Sequence, residues 1–272
     1  MSNIKLDNFA KLHAFEFLNE NEEDVKIGTL EIREYIENQT EIDEQLISDQ
    51  SILYFLRASK FQINKAKKKI KSYYTQRSDV TEWYTFRDPF LTELSELLDI
   101  GVFLPILQKD EQHRQIVILR IAAHDPSKHL QNNVMKISMM LLDYLTMHDP
   151  NLSVYGIRAI FDMNGVKLAH ALQMTPKIIK NAVNTMECYP LRIQKLEFVN
   201  ANRGINVILD IFRSFMTQKL RDRITVTRDI PKFNAHDHLP VELGGSTGSY
   251  RDLAKHWKKI LQNNHQWFNS NR

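Results

Sequence analysis

Apolar residues in the first third of the chain recur at the three- and four-residue spacing of a helix face. Ile27, Leu30, Ile32, Tyr35 and Ile36 form one such run, and Ile52, Leu53, Phe55 and Leu56 another, so the spacing predicts helix after helix. Nothing in this stretch alternates as a strand does. Asp88-Pro89 then breaks the pattern, because the residue before a proline is pushed out of the helical region. A small all-helical N-terminal domain over residues 1–90 is expected to end there, with a second domain over 91–272.

Past that break, short β-branched runs alternate with longer helical ones. Strands are predicted at Ile116–Ile121, Gly156–Met163, Ile193–Val199 and Ile224–Thr227, with helices at Val134–Met147, Pro176–Met186 and Ile205–Met216. Strand, helix, strand successions of this length imply right-handed crossovers and a mainly parallel sheet. The C-terminal part is therefore read as α/β.

Composition limits the chemistry further. The 272 residues are 43% hydrophobic, enough for a full core. One cysteine, Cys188, excludes an intrachain disulfide, and Met1-Ser2-Asn3-Ile4-Lys5 lacks the basic-then-apolar run of a secretory signal, so a cytoplasmic location is expected. No run approaches the roughly 20 apolar residues of a membrane span, which leaves transient, peripheral membrane contact. The net charge of +3 hides a division. Carboxylates dominate from Glu16 to Asp49, while cations gather at Lys65–Lys71, at Arg192 and Lys195, and at Lys219–Arg223.

Nucleotide and catalytic motifs are missing. Neither G-x-G-x-x-G nor G-x-x-x-x-G-K-[ST] occurs, and there is no G-x-S-x-G elbow. The glycine-rich Gly244–Ser249 segment reads as a turn before a helix from Tyr250 to Leu261, with Ser249 and Asp252 as a capping pair. His236 and His238 flank Asp237 but have no nameable third partner, so no metal site is assigned. Cys188 reads as a buried, inert thiol. Lys65, Lys67, Lys68, Lys69 and Lys71 read as a solvated helix face, without the interleaved aromatics of a nucleic-acid groove. No catalytic residue, cofactor or nucleic-acid partner is expected, and the chain is not read as an enzyme.

One segment is more informative. Ile205, Ile208, Leu209, Phe212, Phe215 and Met216 form a bulky stripe on a short helix, and Lys219, Arg221 and Arg223 follow it directly. Core packing explains the stripe alone; stripe and cations together suit an anionic membrane interface.

Several motifs carry a resemblance. Phe55-Leu56-Arg57-Ala58-Ser59-Lys60-Phe61, Arg120-Ile121-Ala122 with Asp125-Pro126, Gly156–Asp162, Thr175-Pro176, Tyr189-Pro190-Leu191 and Leu239–Gly245 follow one another in order. The whole closely resembles the CRAL-TRIO lipid-binding family, in particular the branch of the α-tocopherol transfer protein and cellular retinaldehyde-binding protein. The resemblance implies a helical N-terminal domain followed by an α/β lipid-binding domain with an apolar pocket and a helical gate over Ile205–Met216. Met135, Ser138, Leu142, Ile157, Phe161, Leu191, Ile205, Ile208, Phe212 and Phe215 would line the pocket, with Ser138 offering a hydrogen bond to the guest. The implied activity is transfer of a small tocopherol-, retinoid- or carotenoid-like lipid between membranes.

In the same branch a basic patch recognises anionic headgroups, phosphoinositides among them. Here Arg192, Lys219, Arg221 and Arg223 stand at its positions, but Ser59 and Gln194 occupy places where that branch has arginines. A serine does not replace a bidentate guanidinium. Asn181, Asn184 and Thr185 also stand where the relative is apolar, so they either turn outward or meet a more polar guest. Two other readings compete with transfer: a lipid-sensing adaptor that signals to a protein partner, and an α/β enzyme, which the missing motifs disfavour.

Overall fold

The computed structural model describes residues 6–40, 42, 47–201, 205–228 and 238–270. In chain order the elements begin with α1 (Asn8–Leu18), α2 (Glu22–Glu37), α3 (Asp49–Ala58), α4 (Ile63–Asp79), α5 (Thr81–Tyr84) and α6 (Thr92–Ile100). Next come β1 (Phe103–Lys109), β2 (Gln115–Arg120), α7 (Gln131–His148), α8 (Asn151–Tyr155), β3 (Ile157–Asp162), α9 (Leu168–Gln173), α10 (Pro176–Cys188) and β4 (Ile193–Val199). The chain closes with α11 (Ile205–Phe215), α12 (Gln218–Arg221), β5 (Ile224–Val226), a 3-10 turn at Val241–Leu243, α13 (Tyr250–Asn263) and α14 (His265–Ser270). The α/β class and the run of N-terminal helices are as the periodicity predicts.

Two compact units divide the chain. The first comprises Met1–Asp79, Leu145–Gly156 and Asn184–Arg192; the second comprises Val80–Tyr144, Ile157–Val183 and Ile193–Arg272. In the first unit α2, α3 and α4 pack on one another around Ile32, Ile36, Ile52, Phe55, Leu56, Ala66 and Ile70. Gly28 makes the approach of α2 to α3 possible, since a Cβ there would stand 3.1 Å from the Leu56 methyls. Arg57, in the Phe55–Phe61 motif, is buried and donates to both Glu20 carboxylate oxygens at 2.7 Å and to Ser153 Oγ at 3.0 Å. A buried cation is stable only when paired and hydrogen-bonded, which is why this arginine binds three segments of the unit together.

The basic run on α4 does not form one solvated face. Lys69 turns inward and donates to the Glu187 and Tyr189 carbonyls, the second at 2.8 Å, where a cation complements the carbonyl end of α10. Lys67 lies 3.5 Å from Glu31 and over the Tyr35 ring. Lys65, Lys68 and Lys71 remain exposed.

The second unit is built on a five-stranded sheet in the order β1-β2-β3-β4-β5. β1 runs antiparallel to β2, and the other neighbours are parallel, so the sheet is mainly parallel as predicted. β1 was not predicted. Its Pro105 cannot donate to a ladder, and such a strand is tolerated at an edge, which is where β1 sits. Its carbonyl is not wasted, because Pro105 O accepts from Trp257 Nε1 at 2.7 Å and α13 packs along β1.

α13 starts as predicted. Ser249 and Asp252 form a reciprocal capping box, so the glycine-rich segment before them works as turn and cap. Gly244 and Gly248 have φ of 77° and 94°. At Gly245 a Cβ would stand 1.8 Å from the Leu239 carbonyl, and no side chain fits there. Of the His236, Asp237 and His238 group, the first two lie outside the described residues. Among the described residues no group of three or more His, Cys, Asp or Glu could hold a metal. Burial pushes the Cys188 thiol up to about 12, which leaves it protonated and unreactive.

Candidate functional site

Strand alternation gives the sheet two chemically different faces. Neighbours in register share a face, so Val117, Ala159 and Leu196 lie together, as do Leu119, Phe161 and Phe198. These six are hydrocarbon throughout, and the Phe161 and Phe198 rings stack with centroids 4.5 Å apart. The opposite face mixes Ile116, Ile118, Ile160 and Val199 with the charged Arg120, Arg158, Asp162, Lys195 and Glu197. There Arg158 pairs with Glu197, whose other oxygen takes Lys195 at 2.6 Å. Despite its burial, these two cations hold the Glu197 carboxyl below the ordinary glutamate range. Asp162 accepts from the Tyr250 hydroxyl at 3.1 Å, Asn200 Nδ2 at 2.8 Å and Asn164 N at 3.0 Å.

The sequence-predicted lining residues distribute over several elements. Ile157 and Phe161 are buried on β3 and point to the hydrocarbon face. Met135, Ser138 and Leu142 follow one side of α7 at spacings of three and four, the first and last half-buried and Ser138 buried. Ser138 Oγ donates to its own helix at Val134 O, 3.0 Å away. Its lone pairs therefore remain for a guest while its proton is committed, so toward a ligand it accepts rather than donates. Leu191 is buried in the first unit.

On α11 the backbone is helical as predicted, and the side chains of Ile205 and Ile208 lie outside the described residues. The stripe does not form a single face. Leu209 and Met216 are buried, Phe212 is half-buried, and Phe215 is exposed beside Ile211, one turn earlier. The helix thus buries one apolar edge and offers a second to solvent. Directly after it, Lys219 and Arg221 are exposed. Arg223 is half-buried and donates to the Ile193 carbonyl, with desolvation lowering its pKa. Arg192, in the first unit, donates to the Val154 carbonyl.

The departures from the tocopherol branch also acquire positions. Asn184 is exposed, and Thr185 is buried and accepts from Gln76 Nε2 at 3.3 Å, so neither requires a polar guest. Asn181 is half-buried and Gln194 likewise. Ser59 is buried, its hydroxyl without a partner among the described residues.

Sequence reasoning missed two groups in the second unit. Val117, Leu119, Leu196 and Phe198 complete the hydrocarbon face, and only the strand register reveals it. α9 presents Leu168 and Leu172, 74% and 72% exposed, opposite its buried His170. That face is carried by a polar underside of three histidines. His170 Nε2 bonds the His124 carbonyl at 3.1 Å, His124 Nε2 bonds Gln173 Oε1 at 3.0 Å, and His129 Nε2 lies 3.3 Å from Glu96.

Residues 101–245 match the family described as CRAL/TRIO domain, over more than half of the chain. The protein belongs to the CRAL-TRIO family. This is a lipid-binding and transfer family, and the Arg120, Gly156–Asp162, Thr175-Pro176, Tyr189-Pro190-Leu191 and Leu239–Gly245 motifs all fall within the CRAL-TRIO match. Residues 19–94, with the Phe55–Phe61 motif, match a family described as Pinta-like, UBA domain. Among relatives, Clavesin-2 of Homo sapiens is 25% identical over 252 residues, covering 90% of this chain and 75% of that protein. Clavesin-1 of Rattus norvegicus is 26% identical over 253 residues, covering 90% and 70%. A solved structure, the crystal structure of Sfh5, superposes with a TM-score of 0.50 over 95% of this chain and 100% of that one, at 15% identity. That last likeness concerns the fold alone. Among the described residues of this CRAL-TRIO chain, no helix is long and apolar enough to cross a membrane.

Proposed function

We propose that this CRAL-TRIO protein carries one small hydrophobic lipid, tocopherol-, retinoid- or carotenoid-like, between membranes from the cytoplasmic side, and that it is a carrier rather than an enzyme. The observation that carries the reading is the pairing of the hydrocarbon sheet face with α11, whose outer edge is apolar and runs into exposed cations. The first supplies a wall for an acyl or isoprenoid guest. The second suits insertion at an anionic leaflet, with Ile211 and Phe215 in the acyl boundary and Lys219 and Arg221 at headgroups.

In this reading the second unit holds the lipid and α11 is the gate, with Met135, Ser138, Leu142, Ile157, Phe161, Ile205, Ile208, Phe212 and Phe215 around the guest. The accepting hydroxyl of Ser138 favours a guest that bears a hydroxyl group. Lys219 and Arg221 are the more exposed cations and make the first contact, Arg221 with its Nε on the Met216 carbonyl, and the half-buried Arg223 joins them only after leaving the Ile193 carbonyl. Phosphoinositides are among the headgroups such a patch would take.

The test is transfer of a fluorescent tocopherol from phosphatidylcholine donor vesicles to acceptors with and without phosphatidylserine. Protein-dependent transfer that speeds up with phosphatidylserine is expected. Tight binding of the probe with no transfer would replace the carrier by a lipid-sensing adaptor.

A further inference from the structure

α1 is amphipathic in the reverse of the usual sense. Its small side, Ala10 and Ala14 with Leu18, is buried against Val154 and Tyr155, at the four-residue spacing of one helix face. Its bulky side looks outward: Phe9, Leu12 and Phe15, three residues apart, are 78%, 54% and 62% exposed. Phe17 is exposed as well, its ring 4.5 Å from that of His13. Large apolar side chains normally face the core, and a contiguous exposed group of them marks an interaction surface. An eleven-residue helix is marginal by itself, so the inner contact orders α1 and the outer rings are free for something else.

Charge says what that something is. Across residues 7–24 the exposed carboxylates are Asp7, Glu16, Glu22, Glu23 and Asp24, against the exposed cation Lys11. This excess of carboxylates on α1 and on the first turn of α2, which follows it after three residues, repels the anionic membrane surface that α11 suits and attracts cations. Moreover α1 precedes both family matches, which begin at residues 19 and 101, so its surface is not part of what either family shares.

We propose that the outer face of α1 is a docking site for a basic amphipathic helix of a partner protein. Phe9, Leu12 and Phe15 meet the partner's apolar stripe, and the carboxylates of α1 and of the first turn of α2 draw its lysines or arginines, the helix-against-apolar-surface mode of recognition. The site lies in the first unit and does not depend on what the second unit binds.

The probe is a fluorescein-labelled helical peptide with leucines on one face and lysines on the other, titrated into the full chain and read by anisotropy. Two control peptides keep its composition scrambled or replace every lysine by glutamate. The Leu/Lys helix should bind, the glutamate and scrambled peptides should not, and Phe9→Ser with Phe15→Ser should weaken binding by at least about tenfold, as buried aromatic anchors do. These substitutions are on the solvent side, so circular dichroism should be unchanged; Glu22→Lys with Glu23→Lys gives an independent loss through charge alone. Equal affinity of the parent and the phenylalanine variant overturns the proposal. So does equal affinity for the lysine and glutamate peptides, phosphatidylserine vesicles held through Phe9 and Phe15, or a dimer of the chain that the same two substitutions dissolve.

Discussion

Replacing Ile211 and Phe215 by serine removes the exposed apolar edge of α11 that is proposed to enter a bilayer, and leaves its buried edge intact. The two residues are 40% and 39% exposed. Full burial of such a side chain is worth about 1.5–3 kcal/mol, so the exposed part of each contributes about 1 kcal/mol and the pair about 2 kcal/mol. That corresponds to roughly a thirtyfold weaker partition onto vesicles, since about 1.4 kcal/mol is tenfold. Lys219→Ala with Arg221→Ala should cost a similar amount, at about 1 kcal/mol per cation near an acidic leaflet. Salt tells the two apart. Between about 0.1 M and 1 M salt the screening length falls from roughly 10 Å to 3 Å, so the charge variant's defect should shrink while that of the apolar variant persists. The assay is flotation with phosphatidylcholine/phosphatidylserine vesicles at both salt levels. Parent and apolar variant floating alike at both would refute α11 as the inserting element.

Phe161→Ala removes the stack on Phe198 and part of the hydrocarbon wall, and should cost about 3–5 kcal/mol of stability by urea unfolding together with lipid loading. Arg57→Ala strands the Glu20 carboxylate in a largely buried site and should destabilise by about 3–5 kcal/mol, whereas a cost under about 1 kcal/mol would mean the pair is solvent-relaxed. Burial, opposed by its bond to Gln173 and helped by His170 and His129, holds the His124 imidazole below its ordinary 6.5. The unfolded chain therefore takes up that proton first, so stability should fall as pH drops below 6.5 until the folded ring also titrates; His124→Gln should flatten this slope in thermal melts from pH 7.5 to 5. Ser138→Ala should weaken a hydroxyl-bearing lipid relative to its methyl ether, and equal weakening of both would assign Ser138 to packing alone.

How much of this was legible in the sequence depends on the range over which each interaction acts. β2 to β5 and the longer helices α7, α10 and α11 show as a change of period, because burial on a sheet or a helix face is a local pattern, whereas the short α8, α9 and α12, of four to six residues, carry too few turns to show one. β1 escaped for a local reason as well: Pro105 argues against a strand unless the strand is at an edge, and edge position belongs to the finished sheet. The phase of α11 was readable only in part. Periodicity grouped Phe215 with Leu209 and Met216, yet the structure turns Phe215 outward with Ile211, since hydrophobicity alone does not say which of two apolar edges is covered. Lys69 likewise looked like its lysine neighbours, and only the distant carbonyls of Glu187 and Tyr189 draw it inward. The His124, His129 and His170 group joins residues up to 46 positions apart, and no spacing rule reaches that far.

The two faces of the sheet explain how a fold rich in buried charge can still shelter a lipid. Burying Arg158, Asp162 and Glu197 is costly unless each finds partners. Each does so on its own side: Glu197 between Arg158 and Lys195, and Asp162 among Tyr250, Asn200 and the Asn164 amide. No polar group from that set has to seek a partner across the sheet, so on the opposite face Val117, Leu119, Ala159, Phe161, Leu196 and Phe198 stand together, with Gln115 at its end bonded to the Ile106 and Ile116 carbonyls. A hydrocarbon guest against such a wall meets no unsatisfied donor or acceptor, whereas a charged guest would be stripped of water with nothing there to replace it. In the proposed carrier, selectivity for apolar molecules as a class follows from this wall, and discrimination among them from shape and from single polar contacts such as the lone pairs of Ser138.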